Sequence, residues 1–290
     1  MAGIEHVSDT ARWVAVYRAM ETERPDALFQ DPWARQLAGE KGEQIVRSMR
    51  RGRAAAWAMI VRTQVFDELI RDAVHHRGVD RVVNLAAGLD ARPWRLDLPA
   101  ELCWVDVDLP DILDHKLAVI GDAPPRCDYR AVTADLADAG ARSRVLAESA
   151  AGSRSALVVS EGLLIYLDPT DVGALAADLA GHAAYRWWLI DLASPRLLKM
   201  MQRSWGKATA AGQAPFRFAP EEGTDFFRPF GWVESEFRSS GEEARRLHRA
   251  PRYMAFWRAV FRFAPRHVRE SAQRMAGTVL LERNAPPSMA

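Results

Sequence analysis

The sequence predicts an α/β protein built on a mostly parallel sheet. From residue 81 onward, short apolar runs alternate with helical stretches, and this order favours parallel strands joined by right-handed crossovers. The first run, Val82–Ala86, has the length of a buried strand and ends in the small residues Ala86-Ala87-Gly88, which fit a sharp turn. Residues 8–76 show helical spacing instead. A helical N-terminal region followed by an open sheet is therefore the predicted architecture.

Three helical stretches are predicted before the first strand. The first covers residues 8–20, where Trp13, Val14 and Tyr17 recur at helical spacing. A second, short helix is predicted to begin at Asp31-Pro32, because proline is favoured at the first helical position. This helix is predicted to end at residue 38. A third, long helix begins after residue 52. It ends near residue 78, where cationic side chains precede a glycine, as helix C-termini favour.

Seven strands are predicted in the rest of the chain. They cover Val82–Ala86, Leu102–Val107, Tyr129–Thr133, Ala156–Ser160, Trp187–Leu192, residues 231–237 and residues 277–283. Helical segments near residues 111–120, 138–148 and 170–182 fall between the early strands. A long excursion separates the last two strands, which favours the far edge of a seven-stranded sheet.

The composition is that of an ordinary globular protein, with 49% hydrophobic and 27% charged residues in a chain of 290. The 39 Lys and Arg nearly balance the 38 Asp and Glu, so nucleic acid is not expected as a partner. Cys103 and Cys127 lack metal-ligand spacing, and no metal is expected. The chain has neither a signal peptide pattern nor an apolar run of about 18 residues, so we expect a cytoplasmic protein without a membrane partner. The sequence does not determine the oligomeric state.

Acidic residues follow several predicted strands, at the edge where open α/β sheets bind ligands. Asp108 lies 20 positions after Gly88, close to the spacing at which a carboxylate meets the ribose of a nucleotide-like cofactor. Further polar strand ends are Asp135-Leu136, Ser160-Glu161-Gly162 and Asp191. Together they indicate a site for a ligand with hydroxyls, an adenine amine and positive charge. An ordinary turn followed by a solvated acidic strand end is the alternative interpretation.

Five segments in order resemble the class I S-adenosylmethionine-dependent methyltransferases of the leucine carboxyl methyltransferase-like group. They are TARWVAVYRAMETERPDALFQDPWARQLAG, VNLAAGLDAR, WVDVDLP, VTADLAD and VVSEGLLIYL. The first is similar to the helical N-terminus of the bacterial branch, which includes polyketide O-methyltransferases. The resemblance runs from about residue 10 to about residue 195, and the tail matches in length more than in residues. It implies a seven-stranded, mostly parallel Rossmann-like methyltransferase sheet with helices on both faces, and S-adenosyl-L-methionine as the cofactor.

The resemblance implies that residues near the first two strands bind this cofactor. Arg62 would reach the methionine carboxylate as a charge-assisted pair. Ala86 and Gly88 would let the backbone approach, and Asp108, or Asp106, would bind the ribose hydroxyls. The family often has glycine where this chain has Ala86, so the extra methyl would tighten the turn or weaken affinity.

The resemblance also assigns roles on the later strands. It implies that Asp135 accepts a hydrogen bond from the adenine amine and that Leu136 flanks the adenine. Glu161 would lie by the methionine amino group. Tyr166, the one implied catalytic residue, would lie near the methyl-transfer site.

The implied organisation is a single globular unit with two parts. Residues 1–78 would form a helical lid, and residues 79–290 the cofactor-binding core. An insertion around residues 195–260 would bind the acceptor.

The implied activity is O-methylation of a small molecule. A carboxylate acceptor is ionised at neutral pH, whereas a phenol has a pKa near about 10 and gains from a base. No histidine is well placed as that base, which favours a carboxylate or an acidic phenol of a polyketide-like natural product.

Three other functions remain alternatives. They are a protein C-terminal carboxyl methyltransferase, an NAD(P)-dependent oxidoreductase and a non-catalytic cofactor-sensing module. The second is disfavoured because VNLAAGLDAR lacks G-x-G-x-x-G. The third is disfavoured because the set Arg62, Asp108, Asp135 and Glu161 is intact.

Overall fold

The computed structural model describes residues 8–48, 52–211, 215–254 and 265–284. Three N-terminal helices come first: α1 (Ser8–Thr22), α2 (Ala34–Ser48) and α3 (Gly52–His76). The following strands and helices alternate as β1 (Arg81–Leu85), α4 (Arg92–Arg95), β2 (Cys103–Asp108), α5 (Pro110–Ile120), β3 (Asp128–Thr133), α6 (Ala139–Ala150), β4 (Ala156–Ser160), α7 (Pro169–Ala180) and β5 (Tyr185–Ala193). The last elements are α8 (Pro195–Ala211), β6 (Trp232–Ser239), α9 (Ser240–Arg246), α10 (Arg266–Gln273) and β7 (Ala276–Arg283), and two 3-10 turns lie at Leu164–Tyr166 and Gly223–Phe230.

The described strands form one seven-stranded sheet in the order β3-β2-β1-β4-β5-β7-β6. β1 to β5 are mutually parallel where they pair, and β7 runs antiparallel to both β5 and β6. The predicted seven-stranded, mostly parallel fold is thus confirmed. From β1 the chain adds β2 and β3 on one side, and it then returns to add β4 and β5 on the other side of β1. The strand order therefore changes direction between β1 and β4, and a ligand-binding crevice is expected beyond the carboxyl ends of these two strands.

Both faces of the sheet are buried, which explains why its central strands are almost wholly apolar. Side chains alternate along β1: Val83 and Leu85 belong to one core cluster, and Val82 belongs to the cluster on the opposite face. Helix α3 packs on the second face through Phe66 and Leu69, which are fully buried. The long N-terminal helix is therefore anchored directly on the strands that carry the candidate site.

Helix α2 differs from the short helix predicted to end at residue 38. It continues to Ser48, although Gly39 has non-helical dihedral angles (φ 60°, ψ −175°) and kinks it. Burial of Ile45 and Val46 in the N-terminal core holds the second half of the helix in place. The carboxylate of Asp31 accepts a hydrogen bond from Arg18 Nε at 2.8 Å within the buried core.

The boundaries of the predicted lid and insertion stay predictions. The lid includes residues 1–7 and 49–51, and the insertion includes residues 212–214 and 255–264, all of which lie outside the described residues. Within the described parts of the chain, no helix is both long and apolar enough to cross a membrane. Cys103 and Cys127 are buried free thiols.

Candidate functional site

A cleft of about 2120 Å³ lies at the carboxyl ends of the parallel strands, between the sheet edge and the N-terminal helices. Most of the site residues predicted from the sequence line it, although they come from six separate parts of the chain. These are Arg62, Ala86, Gly88, Asp108, Asp135, Leu136, Glu161 and Tyr166. The structure therefore brings together eight of the nine predicted residues; Asp106 is the exception.

The turn after β1 forms one wall of the cleft. Ala86 and Gly88 both have left-handed backbone angles, with φ values of 51° and 53°. A Cβ atom at Gly88 would lie 3.1 Å from the Cβ of Ala11 in α1, so the helix packs directly on this turn. The Ala87 N–H donates to the Val107 carbonyl at 3.2 Å, which ties the turn to the end of β2. The backbone is thus exposed to the cleft in a conformation that suits glycine.

Asp108, at the end of β2, is held by two backbone N–H groups. Its Oδ2 accepts from Gly88 at 2.6 Å, and its Oδ1 accepts from Leu109 at 2.7 Å. Burial raises the pKa of Asp108 above its ordinary value, and these two hydrogen bonds oppose the rise. The carboxylate orientation is therefore set by the protein before any ligand arrives.

Asp106, predicted as the alternative to Asp108, does not line the cleft. It lies within β2 rather than at its end and is fully buried. Its Oδ2 accepts from Lys116 Nζ at 2.5 Å, and its Oδ1 accepts from Trp104 Nε1 at 2.8 Å and Asn84 Nδ2 at 3.1 Å. Because these donors already engage both oxygens and α5 covers them, Asp106 serves the core.

Glu161 lies between two arginines at the cleft floor. Arg62 Nε donates to its Oε1 at 3.0 Å, and Arg92 Nη1 lies 2.8 Å from its Oε2. Arg62 also reaches Asp191 at the end of β5, where Nη1 donates to Oδ2 at 3.2 Å. The other oxygen of Asp191 accepts from the Gly162 N–H at 2.6 Å. Arg62, predicted as a ligand for an anion, is thus already oriented by two carboxylates.

This ion-pair cluster continues beneath the floor. Asp67 of α3 accepts from Arg92 Nε and from two nitrogens of Arg95, all at 2.6–2.7 Å. Burial alone would raise the pKa of Asp90, but the nearby arginines outweigh it and lower the pKa to about 2. Three guanidinium groups thus face four carboxylates, so the cluster has one excess formal negative charge. Its members are Arg62, Arg92, Arg95, Asp67, Asp90, Glu161 and Asp191.

The loop after β3 forms the outer rim of the cleft. Asp135 is exposed, and its Oδ1 accepts from the Ala137 N–H at 2.9 Å. The Leu136 carbonyl accepts from Arg142 Nη1 at 3.0 Å, which holds the loop against α6. A carboxylate and an apolar side chain therefore lie side by side at the rim.

Tyr166 lies in the 3-10 turn after β4, on the side of the cleft roofed by α1. Its ring packs on Phe216, with the ring centroids 5.6 Å apart. Burial raises the pKa of Tyr166 to about 12, although a hydrogen bond with Thr10 and the charge of Arg62 oppose the rise. The side chain is therefore a neutral phenol near pH 7, able to donate a hydrogen bond.

The roles assigned from the sequence leave out three residues of the site. Asp191 was among the polar strand ends that indicated the site, but it was given no role. Arg92 closes the VNLAAGLDAR motif and was given no role in the site, because its contact with Glu161 spans 69 residues of sequence. Thr10 had no signal, because its contact with Tyr166 depends on how α1 crosses the cleft.

A family model for leucine carboxyl methyltransferases matches residues 11–180. This chain belongs to that family. The matched segment contains the N-terminal helices and the ends of β1 to β4, which supply all eight predicted residues found in the cleft. The resemblance carried by the sequence motifs is therefore confirmed.

Curated relatives from two organisms agree with this family assignment. A Rhodococcus jostii protein named "Putative S-adenosyl-L-methionine-dependent methyltransferase" is 39% identical over 176 residues, covering 57% of this chain and 58% of that protein. A Streptomyces avermitilis protein with a name of the same form is 32% identical over 239 residues, covering 77% of this chain and 80% of that protein. The chain thus matches about three fifths of the length of the first of these relatives.

A solved structure shares the fold. A DUF574 family protein from Streptomyces avermitilis superposes with a TM-score of 0.62 at 14% identity, covering 95% of this chain and 97% of that chain. At this identity the likeness extends to the fold alone.

Proposed function

We propose that this protein is an S-adenosyl-L-methionine-dependent O-methyltransferase that acts on a small-molecule acceptor. The family assignment and the names of the relatives support the methyltransferase class. The observation that carries the proposal is the arrangement of Asp108, Glu161 and Arg62 around one cleft at the sheet edge. The ligand site predicted from the acidic strand ends requires that these side chains line one cleft.

The residues of the cleft fit this cofactor. Asp108, fixed by two N–H bonds, would hold the ribose hydroxyls, and the turn at Gly88 lies beside it in the cleft lining. Arg62 would bind the methionine carboxylate and Glu161 the amino group. The rim residues Asp135 and Leu136 would hold the adenine.

The charge of the cluster also supports a cationic ligand. Its one excess negative charge, together with Asp108, creates a field that favours a ligand with net positive charge. When bound, the cofactor supplies an electrophilic methyl group on a sulfonium. The chain's own contribution is to hold that methyl and the acceptor oxygen in line and to exclude water, and such positioning can supply about 7–11 kcal/mol.

Tyr166 would orient the acceptor by donating its phenolic hydrogen bond to an acceptor oxygen. With a pKa of about 12 it is protonated at neutral pH and is a poor general base. Among the histidines that the structure describes, only His267 lines the cleft, and it is exposed on the outer helix α10. These facts favour an acceptor that ionises without help, namely a carboxylate or an acidic phenol.

The acceptor side of the cleft favours a flat, apolar molecule. Trp13 and Trp57 reach it from α1 and α3, and Phe216 stacks beside Tyr166. Met201 of α8 closes the same apolar surface. A polyketide-like aromatic acid fits this lining better than the polar C-terminus of a protein.

The test has a binding step and a transfer step. Calorimetry with S-adenosylhomocysteine, S-adenosylmethionine and NAD⁺ should show binding of the first two alone. Transfer of labelled methyl should then be measured to aromatic carboxylic acids, acidic phenols, ordinary phenols and a peptide with a free C-terminus.

The products distinguish the acceptors. Base-labile products identify esters and base-stable products identify ethers. NAD⁺ binding without the sulfur compounds would overturn the proposal, and label on the peptide alone would replace the small-molecule acceptor with a protein. Tyr166→Phe should lower kcat and leave the dissociation constant of S-adenosylhomocysteine within about twofold of the wild-type value, because the phenol is assigned to the acceptor.

A further inference from the structure

Arg92 joins three elements beneath the cleft. Its Nε donates to Asp67 of α3 at 2.6 Å, and its Nη1 lies 2.7 Å from Asp90 Oδ2 and 2.8 Å from Glu161 Oε2. Its Nη2 donates to the Thr63 carbonyl at 3.4 Å. The side chain is only 3% exposed. The N–H groups of Arg92 are therefore used within the protein rather than offered to a ligand.

We infer that Arg92 is a positioning residue that sets the orientation of the Glu161 carboxylate for cofactor binding. This inference rests on the proposed function. Arg62 engages Oε1 of Glu161 and Arg92 engages Oε2, so the carboxylate is fixed between two guanidinium groups. Each oxygen keeps a lone pair for a further donor. Arg92 thus prepares Glu161 for the cationic amino group while staying out of contact with it.

The competing explanation is that Arg92 only neutralises the buried Asp67. Arg95 provides the matched control for that explanation. It lies in the same short helix, its side chain is also 3% exposed, and it donates to both oxygens of Asp67 at 2.6 and 2.7 Å. Among the described residues, its other ion-pair partner is Asp31 at 3.9 Å, not Glu161. Arg92 and Arg95 therefore share a structural role and differ in their contact with the site.

The test compares Arg92→Lys with Arg95→Lys. Each change keeps the positive charge but replaces the guanidinium fork with a single ammonium, which at position 92 cannot serve Asp67, Asp90 and Glu161 together. Circular dichroism and melting temperature establish folding, and calorimetry gives the dissociation constant of S-adenosylhomocysteine. We expect at least a tenfold rise in that constant for Arg92→Lys and less than a twofold change for Arg95→Lys, at comparable losses of melting temperature.

The outcomes separate the two proposals. Wild-type protein that binds the nucleoside, with equal dissociation constants in both variants, would show that Arg92 is only structural. A wild-type protein that does not bind S-adenosylhomocysteine would overturn the proposed function and this inference together. If Arg92→Lys does not fold, Glu161→Asp provides the second test, because it withdraws the carboxylate by one methylene from its two arginines. A tenfold rise is again expected, and an unchanged constant would overturn the inference.

Discussion

Ala86 and Gly88 allow a paired test of backbone strain in the turn that faces the cleft. Both have φ near +50°, but only Ala86 has a side chain. The left-handed conformation costs a residue with a Cβ about 1–2 kcal/mol, and glycine avoids this cost. Replacing Ala86 with glycine relieves this strain, but the greater conformational freedom of glycine in the unfolded chain offsets about 0.4–1 kcal/mol of the relief. The methyl of Ala86 is partly exposed, so its removal leaves no buried cavity.

Ala86→Gly should therefore raise the free energy of unfolding, by up to about 1.6 kcal/mol. Gly88→Ala should lower it by about 1–2 kcal/mol, because the strain of the new Cβ, less the same unfolded-state offset, adds to its close contact of 3.1 Å with Ala11 Cβ. At about 2–4 °C per kcal/mol, the melting temperatures of the two variants should move in opposite directions from the wild-type value.

Thermal melting by circular dichroism, with urea unfolding as an independent measurement, checks this prediction. The two substitutions exchange the same two amino acids two positions apart, so each is a control for the other. A lower melting temperature for Ala86→Gly would refute the strain argument. A neutral Gly88→Ala would show that the turn rearranges away from Ala11.

Three further predictions concern the acids of β2 and the buried tyrosines. Asp108→Ala should raise the dissociation constant of S-adenosylhomocysteine at least tenfold, about 1.4 kcal/mol, in calorimetry; an unchanged constant in folded protein would remove Asp108 from the site. Lys116→Met leaves the buried carboxylate of Asp106 without its cation, so the free energy of unfolding measured in urea should fall by about 3–5 kcal/mol. The dissociation constant of S-adenosylhomocysteine should stay within about twofold of the wild-type value. A tenfold loss of affinity would return Asp106 to the cofactor site. Burial raises the pKa of Tyr17 and of Tyr166 to about 12, from about 10 in the unfolded chain. Their stabilisation is complete below about pH 10 and is lost as pH rises through about 12, because the unfolded chain releases protons that the native state keeps. The urea concentration at the unfolding midpoint should therefore be lower at about pH 11 than at about pH 9, and an equal midpoint at the two pH values would contradict the pKa assignment.

The strand pattern was readable because it is local. The fourth strand, Ala156–Ser160, agrees with its prediction at both ends, and the others differ by at most two residues at an end. An apolar run of about five residues between helical stretches has few other structural uses in a soluble chain. Helix α2 shows the limit of this reasoning, since it continues past the predicted end at residue 38 because Ile45 and Val46 are buried in the N-terminal core.

The candidate site was readable in part for the same reason. Gly88 and Asp108 follow neighbouring strands, so their spacing in sequence placed both at one edge of the sheet; the hydrogen bond between them was not predicted. Asp106 has the same residue type two positions earlier, and only the position of Lys116 on α5 shows that it belongs to the core. Residue type and spacing could not distinguish these two carboxylates, because the difference between them is burial.

The sequence by itself determined the α/β class, the succession of strands and the residues placed at the sheet edge. These follow from side-chain periodicity and chain connectivity, which are properties of neighbouring residues. Only the tertiary structure decided which charges meet. Arg62 reaches Glu161 across 99 residues and Asp191 across 129, and Arg92 joins the same cluster from a different element. Such pairs depend on how α3 packs across the sheet, because ion pairs need approach within a few ångströms.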